Sequence, residues 1–132
     1  MHFNYKQIGC MVKELGRTTT LKGQSGKEYV FSLYLFDNFE ELKSAWNSIP
    51  ALYLFTQRYR SNGAYYHNYI YLGETGDLST RFDNHHKEQC IKNHRPNCIG
   101  IYTNVPQEEP KRKDVEKDIL LANDFPCNEQ NN

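Results

Sequence analysis

The sequence lacks any long hydrophobic run. Nowhere do roughly 18 consecutive apolar residues occur, the length that a membrane span needs, and the first residues, Met1 to Lys6, do not form the apolar core of a secretory signal. The protein is therefore expected in the cytoplasm, without a membrane as partner.

Cysteine is also scarce, with four residues in a chain of 132 and no CxxC pair. In a reducing compartment we expect all four to be thiols, so no disulfide framework is predicted. A structural zinc site is an alternative, because Cys90, His94 and Cys98 are evenly spaced and Cys10 or Cys127 could add a fourth ligand. The usual zinc ligands come as CxxC pairs, so this spacing is a weak indication.

The sequence has no excess of positive or negative charge, since 16 Lys and Arg residues balance 16 Asp and Glu residues. A uniformly basic nucleic-acid coat is thereby excluded, and an anionic substrate would have to be held by a local patch. The length suits a single domain that can bury a core.

The first 50 residues are predicted to form an extension. Tyr29–Phe36 is short and, apart from Ser32, aromatic and aliphatic throughout, which predicts a mostly buried strand. Ile8–Leu15 is its expected hairpin partner. Asp37 or Asn38 can cap a short helix that ends near Trp46.

Residues 51–128 are predicted to form the core. Ala51–Thr56 and Tyr69–Leu72 have strand composition, with a hairpin turn signal at Asn62-Gly63 between them. A helix is expected from Asp77 to about Cys90, then a third strand over Cys98–Tyr102.

A last helix is expected after Pro106 and Pro110, with Val115, Ile119 and Ala122 as its apolar stripe. This order predicts an α+β fold: a three-stranded antiparallel sheet flanked by helices, with an N-terminal β-hairpin and short helix added. Residues 129–132 are expected to be a frayed tail.

Several residues of this core have the chemistry of phosphodiester cleavage. Arg81 can neutralise a phosphate, and Glu116 can be the single carboxylate that holds Mg²⁺. Tyr53 or Tyr71 can serve as base if a nearby cation favours the phenolate, and His85 can relay a proton. Taken alone, each of these residue types more often has an ordinary structural role.

The combination of these residues resembles the GIY-YIG nuclease family over residues 51–128. Ala51–Tyr53 stands where the family has Gly-Ile-Tyr, and Tyr71–Gly73 where it has Tyr-Ile-Gly. Arg81 follows Tyr71 by ten residues, as the family's arginine does. Glu116 resembles the metal-binding glutamate, and Pro126–Asn128 resembles the Pro-x-Asn ending.

The resemblance implies a metal-dependent endonuclease that hydrolyses phosphodiester bonds in nucleic acid, with DNA as the expected substrate. Tyr53 or Tyr71 would activate or orient water, Arg81 would stabilise the phosphoryl group, and His85 would assist proton movement. Glu116 would hold one Mg²⁺ or Mn²⁺, and Asn128 would fix the geometry of that end of the site.

Two departures from the family pattern concern substrate binding. Glu74 stands where several members have lysine, which brings a carboxylate close to an anionic substrate. The connection between the tyrosine motifs is longer than usual and interleaves cations with aromatic residues, a composition suited to phosphates and stacked bases but also to a solvated hairpin tip. The expected nucleic-acid contacts are Arg58, Arg60, Gly73 and Arg81.

A non-catalytic module that binds nucleic acid or protein through the same fold is the alternative function. Neither a helix-turn-helix nor a zinc finger is recognisable in the sequence. Sequence specificity is therefore expected to be loose, directed by substrate structure, or supplied by a protein partner.

Overall fold

The computed structural model describes residues 12–129, and five strands make up most of its regular structure. The strands are β1 (Lys13–Lys22), β2 (Glu28–Leu35), β3 (Ala51–Ser61), β4 (Ala64–Thr75) and β5 (Cys98–Tyr102). They form one curled antiparallel sheet in the order β1-β2-β5-β3-β4. The helices are short: a 3₁₀ helix (Phe39–Ser44), α1 (Glu88–Asn93), α2 (Glu109–Leu120) and α3 (Pro126–Glu129).

The predicted three-stranded sheet flanked by helices is wrong, because the N-terminal hairpin belongs to the same sheet as the core. Ser32–Leu35 of β2 pairs with Cys98–Ile101 of β5, whose other side pairs with β3. The physical reason is that all of β5 is buried, so an open edge there would leave backbone donors and acceptors without partners. The strand β2 provides the second row of hydrogen bonds.

The helix expected between Asp77 and Cys90 is also wrong. The chain makes a series of turns before α1 begins at Glu88. The Asp77 carboxylate accepts hydrogen bonds from the backbone and hydroxyl of Ser79, at 3.0 and 2.6 Å, a local turn that competes with helical hydrogen bonding. Leu78 and Phe82 nevertheless lie in the core, as expected.

The hairpin turn at Asn62-Gly63 is confirmed. Both residues have positive φ, 51° and 80°, and Ser61 pairs with Ala64 across the turn. Strands β3 and β4 run all the way to it, so the residues expected to form a loose connection are part of the ladder.

Side chains pack on both faces of the sheet. Along β3, Tyr53 and Phe55 lie in one hydrophobic cluster and Leu52 and Leu54 in the other, which also contains Ile119 of α2. A last helix that contacts the core through Val115 and Ile119 is thereby confirmed, whereas Ala122 of the predicted stripe lies beyond the end of α2 and is exposed. Among residues 12–129 no helix has the length and apolar character needed to cross a membrane.

One pair of cysteines departs from the expectation of free thiols. Cys90 of α1 and Cys127 of α3 form a disulfide, while Cys98 is a free, buried thiol on β5. The two helices bring the sulfurs together although 37 positions separate them in sequence, which spacing alone does not indicate. Cys10, the first half of the predicted strand Ile8–Leu15 and residues 130–132 of the tail lie outside the described residues, whereas residues 13–15 of that strand belong to β1, which pairs with β2.

Candidate active site

The two tyrosines of the candidate site point to the same face of paired strands. Tyr53 lies opposite Gly73, and Tyr71 lies opposite Phe55, with 6.0 Å between the centroids of the two tyrosine rings. A Cβ atom at Gly73 would overlap the phenol ring of Tyr53. Glycine is therefore required two positions after Tyr71 because the Tyr53 ring crosses the backbone there.

The phenol oxygen of Tyr53 accepts hydrogen bonds from side chains of the turns that follow β4. Arg81 Nε donates to its phenol oxygen at 2.8 Å, and His85 Nε2 lies 2.6 Å from the same oxygen. The backbone N–H of Lys87 donates to His85 Nδ1 at 3.0 Å, so the neutral ring carries its proton on Nε2 and donates to Tyr53. With both lone pairs used, Tyr53 directs its own hydrogen to Tyr71, its remaining partner.

Burial controls the protonation of this cluster. It lowers the pKa of His85 to about 3, helped by the positive charge of Arg81 and by His86, so His85 is neutral at pH 7. Burial raises the pKa of Tyr53 well above 10 and also raises the pKa of Tyr71, while Arg81 opposes both shifts. More positive charge than Arg81 supplies is needed before either phenol ionises.

Glu116 of α2 adds a half-buried carboxylate beside the tyrosines. The pKa of Glu116 is raised to about 7, chiefly by burial and also by the Glu74 carboxylate, while Lys113 and Arg81 oppose the shift. Its charge also raises the pKa of Tyr71. Within residues 12–129 Glu116 makes no hydrogen bond or ion pair. Glu116 is therefore the carboxylate of this cluster that could hold a divalent cation.

Glu74, whose sequence position suggested a carboxylate next to the anionic substrate, is paired with an arginine. Arg112 of α2 donates to its carboxylate at 2.8 Å, with the two side chains 6% and 13% exposed. Arg112 also donates to the backbone carbonyls of Pro106 and Gln107, and Gly76 leaves room for the guanidinium. The charge of Glu74 is therefore compensated before any anionic substrate arrives.

Arg112 is the residue of this site that sequence reasoning missed. It precedes Glu116 by four positions on α2, the spacing that puts two side chains on one helix face. The predicted last helix could therefore have indicated that Arg112 lies beside Glu116. An open cavity of about 280 Å³ beside Arg112 offers polar groups to a ligand. Its lining residues are Glu74, Thr75, Gly76, Arg81, Glu109 and Arg112.

Asn128 of α3 contacts β4 between the two motif residues. Its side-chain oxygen accepts from the Leu72 N–H at 2.8 Å, and its amide nitrogen donates to the Leu72 carbonyl at 2.8 Å. Leu72 is flanked by Tyr71 and Gly73. Asn128 therefore positions the strand that carries Tyr71.

The hairpin tip lies apart from this cluster. Eight residues of β3 separate Tyr53 from Ser61, roughly 26 Å at 3.3 Å per residue. The Arg58 guanidinium stacks on the Tyr65 ring at 3.6 Å, and Arg60 lies 5.7 Å from the same ring.

Two more tyrosines of the hairpin, Tyr59 and Tyr66, stack on each other with 5.8 Å between centroids. With Tyr65 they are the exposed aromatic residues of this arm, each 41–50% exposed. The hairpin is thus solvated, and it presents a cationic and aromatic surface.

The structure brings one group of predicted site residues together and leaves another at a distance. Tyr53, Tyr71, Arg81 and His85 are in mutual contact, Glu116 lies close enough to interact with two of them, and Gly73 packs on Tyr53. Arg58 and Arg60 belong to the hairpin. No family model, curated protein or solved structure matches this chain. Its chemistry is therefore inferred from its own residues.

Proposed function

We propose that the protein is a metal-dependent endonuclease that hydrolyses phosphodiester bonds in nucleic acid, with DNA as the expected substrate. The observation that carries this proposal is the phenol oxygen of Tyr53, which receives N–H groups from both Arg81 and His85 beside the unpaired carboxylate of Glu116. The spacing of the tyrosine motifs, which resembles the GIY-YIG nucleases, supports the same assignment.

Arg81 binds both the phenols and the substrate. A guanidinium has five N–H donors in a fixed plane, so contacts to Tyr53 and Tyr71 leave donors for a phosphate oxygen. In a partly buried site such contacts stabilise the negative charge that develops on the phosphoryl group.

Tyr53 and Tyr71 form the base as a pair. The donors on the Tyr53 oxygen stabilise a phenolate, and the hydrogen bond between the phenols lets the pair share the remaining proton. A phenolate of this pair, which needs more positive charge than Arg81 alone supplies, would accept the proton of the attacking water, while neutral His85 holds its Nε2–H on Tyr53.

Glu116 would hold one Mg²⁺ or Mn²⁺. When bound, such an ion supplies positive charge to the phosphate oxygens and lowers the pKa of a coordinated water. Because Arg112 compensates Glu74, Glu116 remains the carboxylate available for this role.

The test is a cleavage assay on single- and double-stranded DNA and RNA, with Mg²⁺, with Mn²⁺ and with a chelator. Cleavage should need the metal, disappear in Glu116→Ala and persist in Asp114→Ala, a control that removes an exposed carboxylate from the same helix. Parent-like cleavage by Glu116→Ala would show that Glu116 is not the metal ligand.

A non-catalytic binding module is the second candidate, and the raised pKa values of both phenols favour it, since neither is ionised in the free site. A nuclease should lose cleavage in Tyr71→Phe while it still binds nucleic acid. A module should bind without cleaving under any metal condition. If Tyr71→Phe lost both binding and cleavage, the experiment would contradict a purely catalytic role of the Tyr71 hydroxyl.

The exposed hairpin supports nucleic acid as the partner. Arginine planes and tyrosine rings suit backbone phosphates and stacked bases, and the distance of this arm from Tyr53 would let it contact the substrate away from the cut. We place this activity in the cytoplasm, and a protein partner could supply sequence specificity.

A further inference from the structure

A second cluster with metal-binding chemistry lies outside the proposed active site. Cys90 lies in the middle of α1, His94 directly follows that helix, and Cys127 belongs to α3. The sulfurs and an imidazole nitrogen lie within 4.8 Å of one another, with His94 Nδ1 3.6 Å from the Cys127 sulfur.

The donor set suits zinc better than the metals of nucleases. Two thiolates and one imidazole are soft and borderline ligands, which Zn²⁺ prefers, whereas Mg²⁺ prefers oxygen. Zinc bonds of about 2.3 Å to sulfur and about 2.0 Å to nitrogen place ligand atoms roughly 3.5–4 Å apart, which matches the 3.6 Å between His94 Nδ1 and the Cys127 sulfur. The two sulfurs are bonded to each other here and would move apart on reduction. The Cα atoms of Cys90 and Cys127 are already 5.9 Å apart, so small side-chain rotations suffice.

Solvent reaches this cluster. His94 is exposed and Cys90 is partly exposed, and both line an open surface cavity of about 400 Å³. Cys98, which the spacing had suggested as a ligand, is buried on β5 and is absent from the cluster. It is therefore a cysteine of the same chain that can serve as control.

We propose that Cys90, His94 and Cys127 bind one Zn²⁺ when the disulfide is reduced, with water as the fourth ligand. A dithiol reductant supplies two electrons and two protons, the S–S bond breaks, two thiols form, and the dithiol becomes a disulfide. Zn²⁺ then displaces the two thiol protons. His94 Nδ1, which donates to the Cys90 carbonyl at 2.9 Å in the disulfide form, gives up that hydrogen bond and binds Zn²⁺ with the ring proton on Nε2.

The disulfide and the zinc ion would make the same connection in different redox states. Either one ties α3 to α1, and α3 carries Asn128, which holds β4 at Leu72. The protein would therefore keep this part of its fold in a reducing compartment. This inference is independent of the nuclease assignment.

The test uses the full chain, freed of metal, in its oxidised and reduced forms. After reductant is removed without air, Zn²⁺ is titrated against a chromophoric zinc chelator, and Co²⁺ is titrated for thiolate-to-cobalt absorption. The reduced parent should bind one tight Zn²⁺ equivalent, and the oxidised parent should bind about tenfold more weakly or worse, because metal ligands must be thiolates.

Matched variants locate the site. His94→Ala keeps the disulfide when oxidised, so it should fold, yet its reduced form should lose at least about tenfold in zinc affinity. Cys127→Ser should lose the cobalt absorption, whereas Cys98→Ala and Glu116→Ala should keep both signals. Absence of a zinc equivalent in the reduced parent, parent-like affinity in His94→Ala, or loss of the signal in Cys98→Ala would overturn the proposal.

Discussion

Tyr53 is the residue at which burial and hydrogen bonding meet in the candidate site. Its side chain is fully buried, and its oxygen is the acceptor for Arg81 and His85. Buried N–H donors favour the folded state only while each of them has an acceptor, and here the Tyr53 oxygen is that acceptor for both. Stability and the proposed catalysis therefore depend on the same atom.

Tyr53→Phe should destabilise the protein by about 1–3 kcal/mol, since it leaves buried donors of Arg81 and His85 unsatisfied. Urea unfolding measures the loss, and cleavage should fall in the variant that remains folded. Tyr59→Phe, a change at an exposed ring of the hairpin, should alter neither quantity. Equal stability of the two variants would contradict the hydrogen-bond assignment.

His85 should make stability depend on acid. Its pKa is about 3 in the folded protein and near 6.5 when unfolded, so the unfolded chain binds the proton first. The contribution of His85 is complete above pH 6.5 and is lost as the pH falls towards 3. Arg81, His86, Tyr53 and Tyr71 are the titratable or charged groups around it.

Urea unfolding at several pH values between 3 and 6.5 measures this dependence. His85→Gln should flatten the slope of stability against pH in that range, whereas His94→Gln, at an exposed position, should retain the parent slope. An unchanged slope in His85→Gln would show that His85 is not held neutral by the fold.

At the scale of elements, turn residues and strand composition carried the reliable signals. Asn62-Gly63 favours positive φ at both positions and so predicted the hairpin, and the run of apolar residues in β2, interrupted only by Ser32, indicated a buried strand. That run also fits an interior strand paired on both sides, a position that the predicted three-stranded sheet did not give it.

The helix predicted after Asp77 failed for a local reason. Leu78 and Phe82 have the spacing of an apolar helix face, but successive turns can bury the same two side chains. The positive φ of Asn84, 79°, interrupts any helix there. The spacing of Arg81 and His85 could therefore be read from the sequence, whereas the direction of their hydrogen bonds to Tyr53 depends on tertiary structure.

Asn128 should be required for the position of β4. Asn128→Ala removes both hydrogen bonds to Leu72 and should cost about 1–3 kcal/mol. Asn128→Asp should not restore stability at neutral pH, because a carboxylate cannot donate to the Leu72 carbonyl. Thermal unfolding measures both variants, with Asn123→Ala, another asparagine that bonds to backbone, as comparison. Parent-like stability of Asn128→Asp would show that acceptance alone suffices.

At the scale of the whole molecule, the site and the hairpin form two separated contact regions. Only about 26 Å of strand joins them, the length of roughly eight base pairs at 3.4 Å per step. A nucleic acid could contact both if it lay along β3 and β4. The neutral net charge makes such local contacts, and not a general attraction, the source of affinity.

The double variant Arg58→Ala and Arg60→Ala should weaken nucleic-acid binding. It should also make the slope of log K against log salt concentration shallower by about one to two. The expected reason is the loss of one or two phosphate contacts from the hairpin. Fluorescence anisotropy at several salt concentrations measures this, with Lys22→Ala as an exposed cation on a different strand. A slope unchanged from the parent would mean that the hairpin does not touch phosphates.

The two hydrogen bonds between Asn128 and Leu72 also bear on self-association. The side-chain amide of Asn128 imitates one peptide unit of a sixth strand, since it donates to the carbonyl and accepts from the N–H of the same residue on the outer strand β4. A strand from another chain could not pair with β4 at Leu72, because Asn128 already occupies the N–H and the carbonyl of that residue. The margin of the sheet beside Tyr71 is thus closed to strand addition, which leaves this side of the molecule to ligands other than a second sheet.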